Sequence, residues 1–276
     1  MPNLLLSYIE KKSPVHGLTG AAKMVFFLLW SVGAMATYDT RLLAAMLAAG
    51  VCIFVVSKIK FREIWLVVVF ITGMLLLNNV AIFLFSPFEG CGIYGARSDI
   101  LRIAGRYVLT SEQLFYQANV TLKYFTVLPV ALLFILTTDP GEFAASLNRI
   151  GVSYKIAFSV SLALRYIPDI QKSFQTVAMA GQARGVDISG KEKPLRRLKN
   201  VFAIIIPLIF SSLQRVETVA NAMELRRFGT NRKRTWYNAK AFGYGDYAAA
   251  ALGAVIVLAA AALFFVNGGR FYNPFA

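Results

Sequence analysis

The sequence predicts an all-α integral membrane protein with about five transmembrane helices and a cytoplasmic-side region of long amphipathic helices. Hydrophobic residues make up 57% of the 276 residues and charged residues only 16%, against roughly a quarter in soluble domains. Lys and Arg number 29 against 14 Asp and Glu, which gives a formal net charge of +15. High apolar content with a strong basic excess is typical of a multi-pass membrane protein with basic cytoplasmic segments.

Five apolar stretches are predicted to cross the membrane. The clearest is Ile64 to Phe85, with 22 residues and no charge, which satisfies the ~20 residues that a hydrocarbon layer of ~30 Å requires. Tyr247 to Val266 is a second charge-free stretch, rich in alanine. The other three, Ala21 to Tyr38, Leu42 to Val56 and Leu114 to Thr138, are shorter or carry a lysine. The lysines in or beside them are Lys23, Lys58 and Lys123, whose amino groups we expect to snorkel to the membrane surface.

The distribution of Lys and Arg predicts the orientation in the cell membrane. Seventeen basic residues lie in 139–245 against seven acidic ones, whereas 86–113 holds three of each. The positive-inside rule then places the N-terminus and 139–245 in the cytoplasm, and 86–113 and the C-terminus outside. The chain divides into a membrane region at 1–138, with four transmembrane helices and the extracellular loop at 86–113, a cytoplasmic region at 139–245, and a last transmembrane helix with an external tail at 246–276.

Residues that bind metals are too few to form a site. The chain has one histidine, His16, and two cysteines, Cys52 in an apolar stretch and Cys91 in a polar loop, without metal-ligand spacing. We therefore expect no bound metal and no disulfide. Nucleic-acid binding is disfavoured because the basic residues alternate with long apolar faces that must be buried first.

Three helices are predicted in the basic region 139–245. The first starts at Asp139-Pro140 and ends near Gly151, since Asp at the cap and Pro in the first turn favour a helix start. The second runs from about Ser153 to Arg184, with glycine following at its end. The third runs from about Pro194 to Phe228, and its apolar residues keep helical spacing on one face. We interpret the last two as amphipathic helices at the cytoplasmic boundary of the membrane.

Two polar features allow more than one interpretation. Gly185 to Lys191 resembles a phosphate-binding loop, but Glu192 stands where Ser or Thr would hold Mg²⁺, and the segment follows a helix instead of a strand. We interpret it as a connection between helices. Asn78 and Asn79 lie inside the third predicted span. Interhelical hydrogen bonding is the favoured role for them, and a substrate path is the alternative.

Several motifs, strongest from Thr137 to Tyr237, carry a resemblance to a known family. They are Thr137-Thr138-Asp139-Pro140, Leu162-Ala163-Leu164-Arg165-Tyr166-Ile167-Pro168, Gln182-Ala183-Arg184-Gly185, Asn221-Ala222-Met223-Glu224-Leu225-Arg226-Arg227-Phe228-Gly229 and Arg234-Thr235-Trp236-Tyr237. With these motifs the sequence closely resembles the T component (EcfT/CbiQ family) of the energy-coupling factor (ECF) transporters, a branch of the ABC importers. The resemblance covers most of the chain.

The resemblance implies a non-catalytic coupling subunit with two kinds of protein partner. The tips of its two long coupling helices insert into grooves on two ABC ATPase subunits, which bind ATP and Mg²⁺, while this chain binds no cofactor and has no catalytic residue. The residues implied in ATPase coupling are Ala183, Arg184, Gly185, Glu224, Arg226 and Arg227. The implied contacts to a substrate-binding membrane S component are Phe158, Leu162, Phe202, Ile205, Ile209 and Leu213.

An arginine at a helix tip has a physical reason to bind a partner. Its guanidinium can form two hydrogen bonds to a carboxylate, and removing one partner of such a buried pair costs about 2–5 kcal/mol. The simpler interpretation is that Arg184 and Arg226 neutralise helix C-termini, worth about 0.3–1 kcal/mol; the paired motifs favour binding. The sequence departs from the family at Leu225-Arg226-Arg227, where the family usually has Ala-Arg-Gly. This departure puts in question any close backbone approach that a glycine would allow.

The sequence leaves the transported substrate open. The resemblance implies that the S component carries specificity, so a vitamin, a vitamin precursor or a transition-metal ion such as Ni or Co fits, with vitamins favoured. The alternative function is a stand-alone secondary transporter or channel, which usually shows internal repeats and charges at the membrane midplane. A membrane-embedded hydrolase is disfavoured, because it needs a cluster such as His/Glu or Ser/Lys within the spans.

Overall fold

A computed structural model describes residues 13–104, 107–186, 194–231, 235–236 and 240–275. The chain forms two compact units, Met1–Glu142 with Lys240–Ala276 (unit 1) and Phe143–Ala239 (unit 2). In chain order the elements are α1 (Pro14–Gly17), α2 (Gly20–Ala36), α3 (Thr40–Val56), α4 (Phe61–Phe85), α5 (Glu89–Tyr94), β1 (Asp99–Ala104), β2 (Tyr107–Thr110), α6 (Ser111–Thr137), α7 (Pro140–Arg149), α8 (Tyr154–Ala183), α9 (Pro194–Leu225) and α10 (Tyr244–Val266). Helix α7 crosses the boundary between the units, and α8 and α9 belong to unit 2.

Long apolar helices confirm the predicted all-α membrane protein. In the described part of the chain, α4, α6, α9 and α10 are long and apolar enough to cross a membrane. Helices α2 and α3 have 17 residues each, or about 25 Å at 1.5 Å per residue, which is short for a hydrocarbon layer of ~30 Å. From the sequence, α9 is predicted to lie at the membrane surface, because its most apolar segment, 201–213, has only 13 residues. In the structure the whole helix has 32 residues, and its length and composition are those of a transmembrane helix.

The helix boundaries follow local capping chemistry. Thr19, Asp39 and Thr110 precede α2, α3 and α6, and the side chain of each accepts a hydrogen bond from a backbone N–H in the first turn. Such caps satisfy donors that a helix start otherwise leaves unpaired. The three helices predicted in 139–245 are present as α7, α8 and α9, and their observed ends lie within about three residues of the predicted ones.

Helix α6 is the centre of unit 1 and packs against α2, α3, α4 and α5. The indole of Trp30 is fully buried, and its Nε1 donates a hydrogen bond to the Thr126 carbonyl at 3.0 Å. Helix α2 also packs on α10, where a Cβ on Gly33 would lie 2.8 Å from Cγ2 of Ile256, so the approach requires glycine. One core cluster consists of Trp30, Ala34, Leu43, Met46, Val130 and Ile256, and a second of Ile59, Ile64, Leu132, Leu133 and Leu136.

Two lysines that were expected to snorkel are buried instead. Lys23 and Lys123 are each 5% exposed. Lys23 Nζ donates to the carbonyl of Thr137, and Lys123 Nζ donates to the carbonyl of Met35, both at 2.8 Å. Lys123 also lies 3.6 Å above the centre of the Tyr38 ring. The acceptors belong to the last turns of α6 and α2, whose free carbonyls form the negative end of the helix dipole. Both lysines therefore join helices inside unit 1.

The carboxylate of Glu142 bonds the start of α2 to the segment before α10. Its Oε1 accepts from the Gly20 backbone N–H at 2.9 Å, and its Oε2 accepts from Lys240 Nζ at 3.1 Å. The Glu142 side chain is 8% exposed and that of Lys240 is 49% exposed. Beside them, Asp246 Oδ1 accepts from the backbone N–H and the hydroxyl of Thr19, at 2.7 and 3.1 Å. Two carboxylates thus meet the positive N-terminal end of α2.

The loop at 86–113 contains structure that the sequence analysis did not predict, namely helix α5 and the antiparallel pair β1–β2. The amide of Gln113 joins this loop to the start of α6. Its Oε1 accepts from the Gly90 N–H at 2.8 Å, and its Nε2 donates to the Ser86 carbonyl at 3.3 Å. A Cβ on Gly90 would lie 2.7 Å from Cα of Gln113. The backbone of α5 therefore rests directly on the first turn of α6.

Glu142→Ala is expected to lower the free energy of unfolding by about 2–3 kcal/mol, because the buried Gly20 N–H loses a charged acceptor. Lys240→Met keeps the aliphatic length and removes a half-exposed ion pair together with a long hydrogen bond of 3.5 Å to the His16 carbonyl, so its expected cost is below about 1 kcal/mol. Thermal unfolding of both variants in mild detergent measures the difference. Equal losses in the two variants would contradict the role assigned to the Gly20 hydrogen bond.

Gly90→Ala is expected to destabilise the protein by about 1–3 kcal/mol, because the new Cβ would overlap backbone atoms of α6. Gly92→Ala is the matched control, since it lies in the same short helix and a Cβ there meets nothing within 4 Å. The melting temperatures of the two variants give the comparison. If Gly90→Ala melts at the same temperature as Gly92→Ala, the backbone of α5 does not approach that of α6 as closely as the structure indicates.

Candidate functional site

The first predicted tip is a glycine-terminated helix cap at the end of α8. Arg184 is the cap residue, and Gly185 follows with φ +83. The Val186 N–H donates to the Gly181 carbonyl at 2.9 Å, and the Gly185 N–H donates to the Gln182 carbonyl at 3.0 Å. These two crossed bonds define a Schellman motif, which uses a left-handed residue to satisfy the last carbonyls of a helix.

The second predicted tip, at the end of α9, has the same backbone geometry. Arg226 follows the last helical residue, and Arg227 has φ +53. The Phe228 N–H donates to the Met223 carbonyl at 2.9 Å, and the Arg227 N–H donates to the Glu224 carbonyl at 2.8 Å. This pair of bonds again forms a Schellman motif. Arg227 thus occupies the left-handed position that a glycine occupies at the first tip.

The two motifs are therefore equivalent residue by residue. Ala183-Arg184-Gly185 corresponds to Leu225-Arg226-Arg227 in cap position and in hydrogen bonding. The sequence left open whether the loss of glycine at 227 disturbs this end. The structure shows that the cap forms with Arg227 in the left-handed region, where a side chain other than glycine costs about 1 kcal/mol or more. Arg226 consequently keeps the same place in its cap as Arg184.

All six residues implied in ATPase coupling are exposed: Ala183, Arg184, Gly185, Glu224, Arg226 and Arg227. The guanidinium groups of the three arginines form no ion pair and no side-chain hydrogen bond with any residue that the structure describes. Each tip therefore presents cationic donors to its surroundings. A guanidinium in this state can bind a carboxylate through two parallel hydrogen bonds.

The two tips lie at opposite ends of an antiparallel helix pair. The Phe228 ring, just after α9, lies 4.6 Å from the Phe158 ring and 5.5 Å from the Tyr154 ring, both near the start of α8. At the other end, a Cβ on Gly181 of α8 would lie 3.6 Å from Cγ1 of Ile204 in α9. Since α8 has 30 residues, the tips are separated by about 45 Å along its axis.

A groove of about 520 Å³ separates the middle parts of α8 and α9. Leu162 lines this groove, and Phe158 belongs to the aromatic cluster at its end. The other four implied S-component contacts lie on α9 outside the groove: Phe202, Ile205, Ile209 and Leu213. Ile205 is half-buried and the other three are exposed. The six residues therefore occupy two surfaces instead of one continuous face.

The sequence analysis did not predict the aromatic contacts that hold the second tip. Trp236 Nε1 donates to Asn148 Oδ1 at 3.1 Å, and its ring lies 6.5 Å from that of Phe158. Together with Phe228, these residues link the end of α9 to the start of α8. A signal was present in the sequence, because an apolar residue two positions after the cap commonly accompanies a Schellman motif.

Three other sequence features have different outcomes. Asn79 Nδ2 donates to Thr121 Oγ1 at 2.9 Å, which confirms interhelical hydrogen bonding for this residue, whereas Asn78 is exposed. Most of the segment that resembles a phosphate-binding loop, from 187 onward, lies outside the described residues, together with Glu192. Within the described ranges, no group of three or more His, Cys, Asp and Glu could hold a metal ion.

Fold and site together define a multi-pass, all-α membrane protein in which a pair of long helices presents two alike arginine caps. Sequence comparison assigns this architecture to a family. The chain belongs to the family described as cobalt transport protein (CbiQ), whose sequence model matches residues 11–237. That range includes all of α2 to α9 and both caps.

Two of the curated relatives align with almost the full length of the chain, and a third aligns with about half of it. It is 25% identical to the energy-coupling factor transporter transmembrane protein EcfT of Leuconostoc gelidum subsp. gasicomitatum, over 93% of this chain and 96% of the relative. It is 25% identical to the EcfT protein of Bacillus selenitireducens, over 95% and 97%. The EcfT protein of Exiguobacterium sibiricum is 31% identical over 48% of this chain and 52% of its own length.

Phe228→Ala is expected to release the second tip from α8, because it removes two ring contacts from the end of α9. Hydrogen exchange of the backbone amides at 222–231 should accelerate by about tenfold or more, as expected when a local opening loses more than about 1.4 kcal/mol. Phe210→Ala, at an exposed position of the same helix, is the control and should leave these amides unchanged. Unchanged exchange in Phe228→Ala would contradict the anchoring role.

Proposed function

We propose that this chain is the energy-coupling transmembrane subunit of an ECF-type ABC importer. In this role it transmits ATP-driven motions of two ATPase subunits to a substrate-binding S component. The observation that carries the proposal is the pair of equivalent caps, with Arg184 and Arg226 in the same position at two exposed helix ends. Relatives named EcfT that align with more than nine tenths of the chain support it.

The geometry of the tips suits two similar protein partners. Two ends with the same backbone hydrogen bonds can enter two similar grooves, one for each ATPase subunit. Desolvation in such a groove strengthens a guanidinium–carboxylate contact, and it also increases the binding free energy that is lost when one partner is removed. In this proposal ATP and Mg²⁺ are bound by the ATPases, and the present chain contributes no catalytic residue.

The outer face of α9 supports a membrane partner. Phe202, Ile209 and Leu213 are 53, 52 and 57% exposed and repeat with the spacing of one helix face. A contiguous apolar face of this kind typically marks contact with another protein or with a membrane. We assign it to the S component, with Leu162 in the groove as a second contact surface.

The proposed orientation follows from charge. The segment 139–245 carries seventeen of the 29 basic residues, so the positive-inside rule favours the cytoplasm for both tips and for the N-terminus, with the C-terminus outside. The cytoplasmic side is also where ATP is available to the ATPases. The localisation is therefore the cell membrane, with both arginine caps facing the cytoplasm.

The polar groups inside the membrane region give less support to the alternative, a stand-alone secondary transporter or channel. A transporter of that kind uses charged or polar groups at membrane depth to bind its substrate. Here Lys23 and Lys123 are each bonded to a helix-terminal carbonyl, and Asn79 is bonded to Thr121. Both lysines and the Asn79 Nδ2 have structural partners, which favours the coupling role over direct transport, although the Asn79 Oδ1 is buried without a partner among the described residues and Asn78 is exposed.

In this proposal the S component determines the class of substrate that is transported. A vitamin, a vitamin precursor or a transition-metal ion remains the expected range. The family description names cobalt, and the printed names of the relatives mention no substrate. Identifying the small membrane protein that co-purifies with this chain in mild detergent would determine which class applies.

The double variant Arg184→Ala/Arg226→Ala is expected to abolish uptake and to weaken ATPase association by about 30-fold or more, which corresponds to the loss of about 2 kcal/mol or more. Arg165→Ala is the matched control, because Arg165 is an exposed arginine in the middle of α8. Co-elution of ATPases with the tagged chain and uptake in cells measure the two effects.

Membrane insertion of the variants is checked by their yield in detergent extracts. If the double variant inserts and supports normal uptake, the coupling role of the two caps is wrong. If the chain purifies alone and transports substrate in liposomes without ATP, the stand-alone transporter replaces the present proposal.

A further inference from the structure

Arg227 has a backbone conformation that its side chain makes unfavourable. Among the described residues, only Lys58 and Arg227 have positive φ without being glycine, at φ 60 and φ 53. At the equivalent position of the first tip, Gly185 adopts φ 83 without a Cβ to accommodate. A strained residue at an exposed position indicates a functional constraint when nothing in the fold requires that side chain.

The Arg227 side chain forms no ion pair or hydrogen bond within the part of the fold that the structure describes. Its backbone N–H and carbonyl take part in the cap, through Glu224 and the Thr230 hydroxyl. Its guanidinium makes no ion pair and no hydrogen bond with a described residue, and the residue is exposed. A glycine would make the same backbone bonds without strain. Its charge beside the C-terminal carbonyls of α9 contributes about 0.3–1 kcal/mol. This gain does not exceed the cost of the left-handed conformation, so the cap alone does not explain the presence of arginine.

Two adjacent cations also make the second tip different from the first. Arg226 and Arg227 are consecutive, so their Cα atoms are about 3.8 Å apart, and both guanidiniums are without an acidic partner in the described structure. The two residues therefore bring two positive charges to the same helix end. The first tip carries Arg184 alone, on the same backbone geometry. The two tips thus share a shape and differ by one guanidinium.

We infer that the second tip binds an ATPase groove that holds two carboxylates, one for Arg226 and one for Arg227, whereas the groove for the first tip needs only one. This inference rests on the proposed function. Two carboxylates neutralise both charges and supply a pair of acceptors for each guanidinium. Arg227 is then a binding residue that discriminates between the two docking sites, and only the correct ATPase face accepts the second tip.

Arg227→Gly tests the inference, because it removes the guanidinium and keeps both the cap and Arg226. The intact complex is purified in mild detergent, and ATPase dissociation is followed across a salt series. Association near 0.15 M salt should weaken by about tenfold, and the difference should shrink at high salt, where charge pairs are screened. The melting temperature of the chain should stay the same or rise, because the strain is removed.

Three further variants test separately how the charge of the side chain, its geometry and its position in the chain affect ATPase association. Arg165→Ala removes one positive charge from unit 2 away from the tips and should change association less than about twofold, since a Debye length near 8 Å screens remote charges. Arg227→Lys keeps the charge without the planar fork and should fall between wild type and Arg227→Gly. Arg227→Asn, which tolerates the left-handed conformation, should reproduce Arg227→Gly.

Charge reversal identifies the partner carboxylate. Arg227→Asp should weaken association by about 100-fold, because a repulsive pair replaces an attractive one. Replacing the acidic residues of the ATPase groove by Lys, one at a time, should restore association for one position only. A different acidic residue should be needed to compensate for changes at Arg226, which would establish that the groove has two carboxylates.

The results that would overturn the inference are distinct from those that would overturn the proposed function. If Arg226→Ala weakens ATPase association and Arg227→Gly does not, the coupling role stands and the second carboxylate is wrong. If Arg227→Gly lowers binding to vesicles rich in anionic lipid and leaves ATPase association unchanged, Arg227 contacts lipid instead. If neither arginine affects association, the proposed function itself fails.

Discussion

The carboxylate of Glu142 is a constraint on unit 1 because it joins segments that are far apart in the chain. It accepts from the start of α2 and from Lys240, and the chain leaves unit 1 directly after Glu142 and returns at Lys240. Glu142 bonds the start of α2 directly, and Lys240 is linked to that helix end through Glu142. The donors at both oxygens offset the cost of burying this carboxylate, and the bond from the buried Gly20 N–H contributes more than the one from the half-exposed Lys240.

The parts of the fold that depend on local sequence were predictable. Caps and glycines gave the ends of α8 and α9 closely, and the apolar runs located α4, α6 and α10. The lengths of the apolar runs did not predict that α2 and α3 are short for a span and that α9 is long enough for one. The burial of Lys23 and Lys123 was not predictable, because their acceptors are carbonyls of other helices and carry no side-chain signal. Helix α5 and the β1–β2 pair likewise depend on contacts with the first turn of α6, such as that of Gly90.

The sequence indicates the candidate residues of the site, whose coupling role stays a prediction, and it does not indicate the backbone geometry of the second tip. The repeated arginine motifs identified Arg184 and Arg226, and exposure of both tips agrees with that choice. The left-handed conformation of Arg227 contradicts the ordinary preference of arginine, so residue type alone indicated a disturbed cap. The apolar residues of α9 were expected on one face, yet Val219 and Met223 line the groove while Phe202 and Leu213 do not.

The antiparallel arrangement of α8 and α9 has a mechanical consequence. With Arg184 and Arg226 at opposite ends, equal and opposite forces that act across the line between the two tips form a couple, which turns the helix pair about its midpoint without translating it. A displacement of about 2 Å at each end of a lever about 45 Å long corresponds to a rotation of about 5°. The midpoint lies at the groove, where the displacement is smallest. Under the proposed function, movements of the two ATPases in opposite directions across this line would act on the chain as a torque.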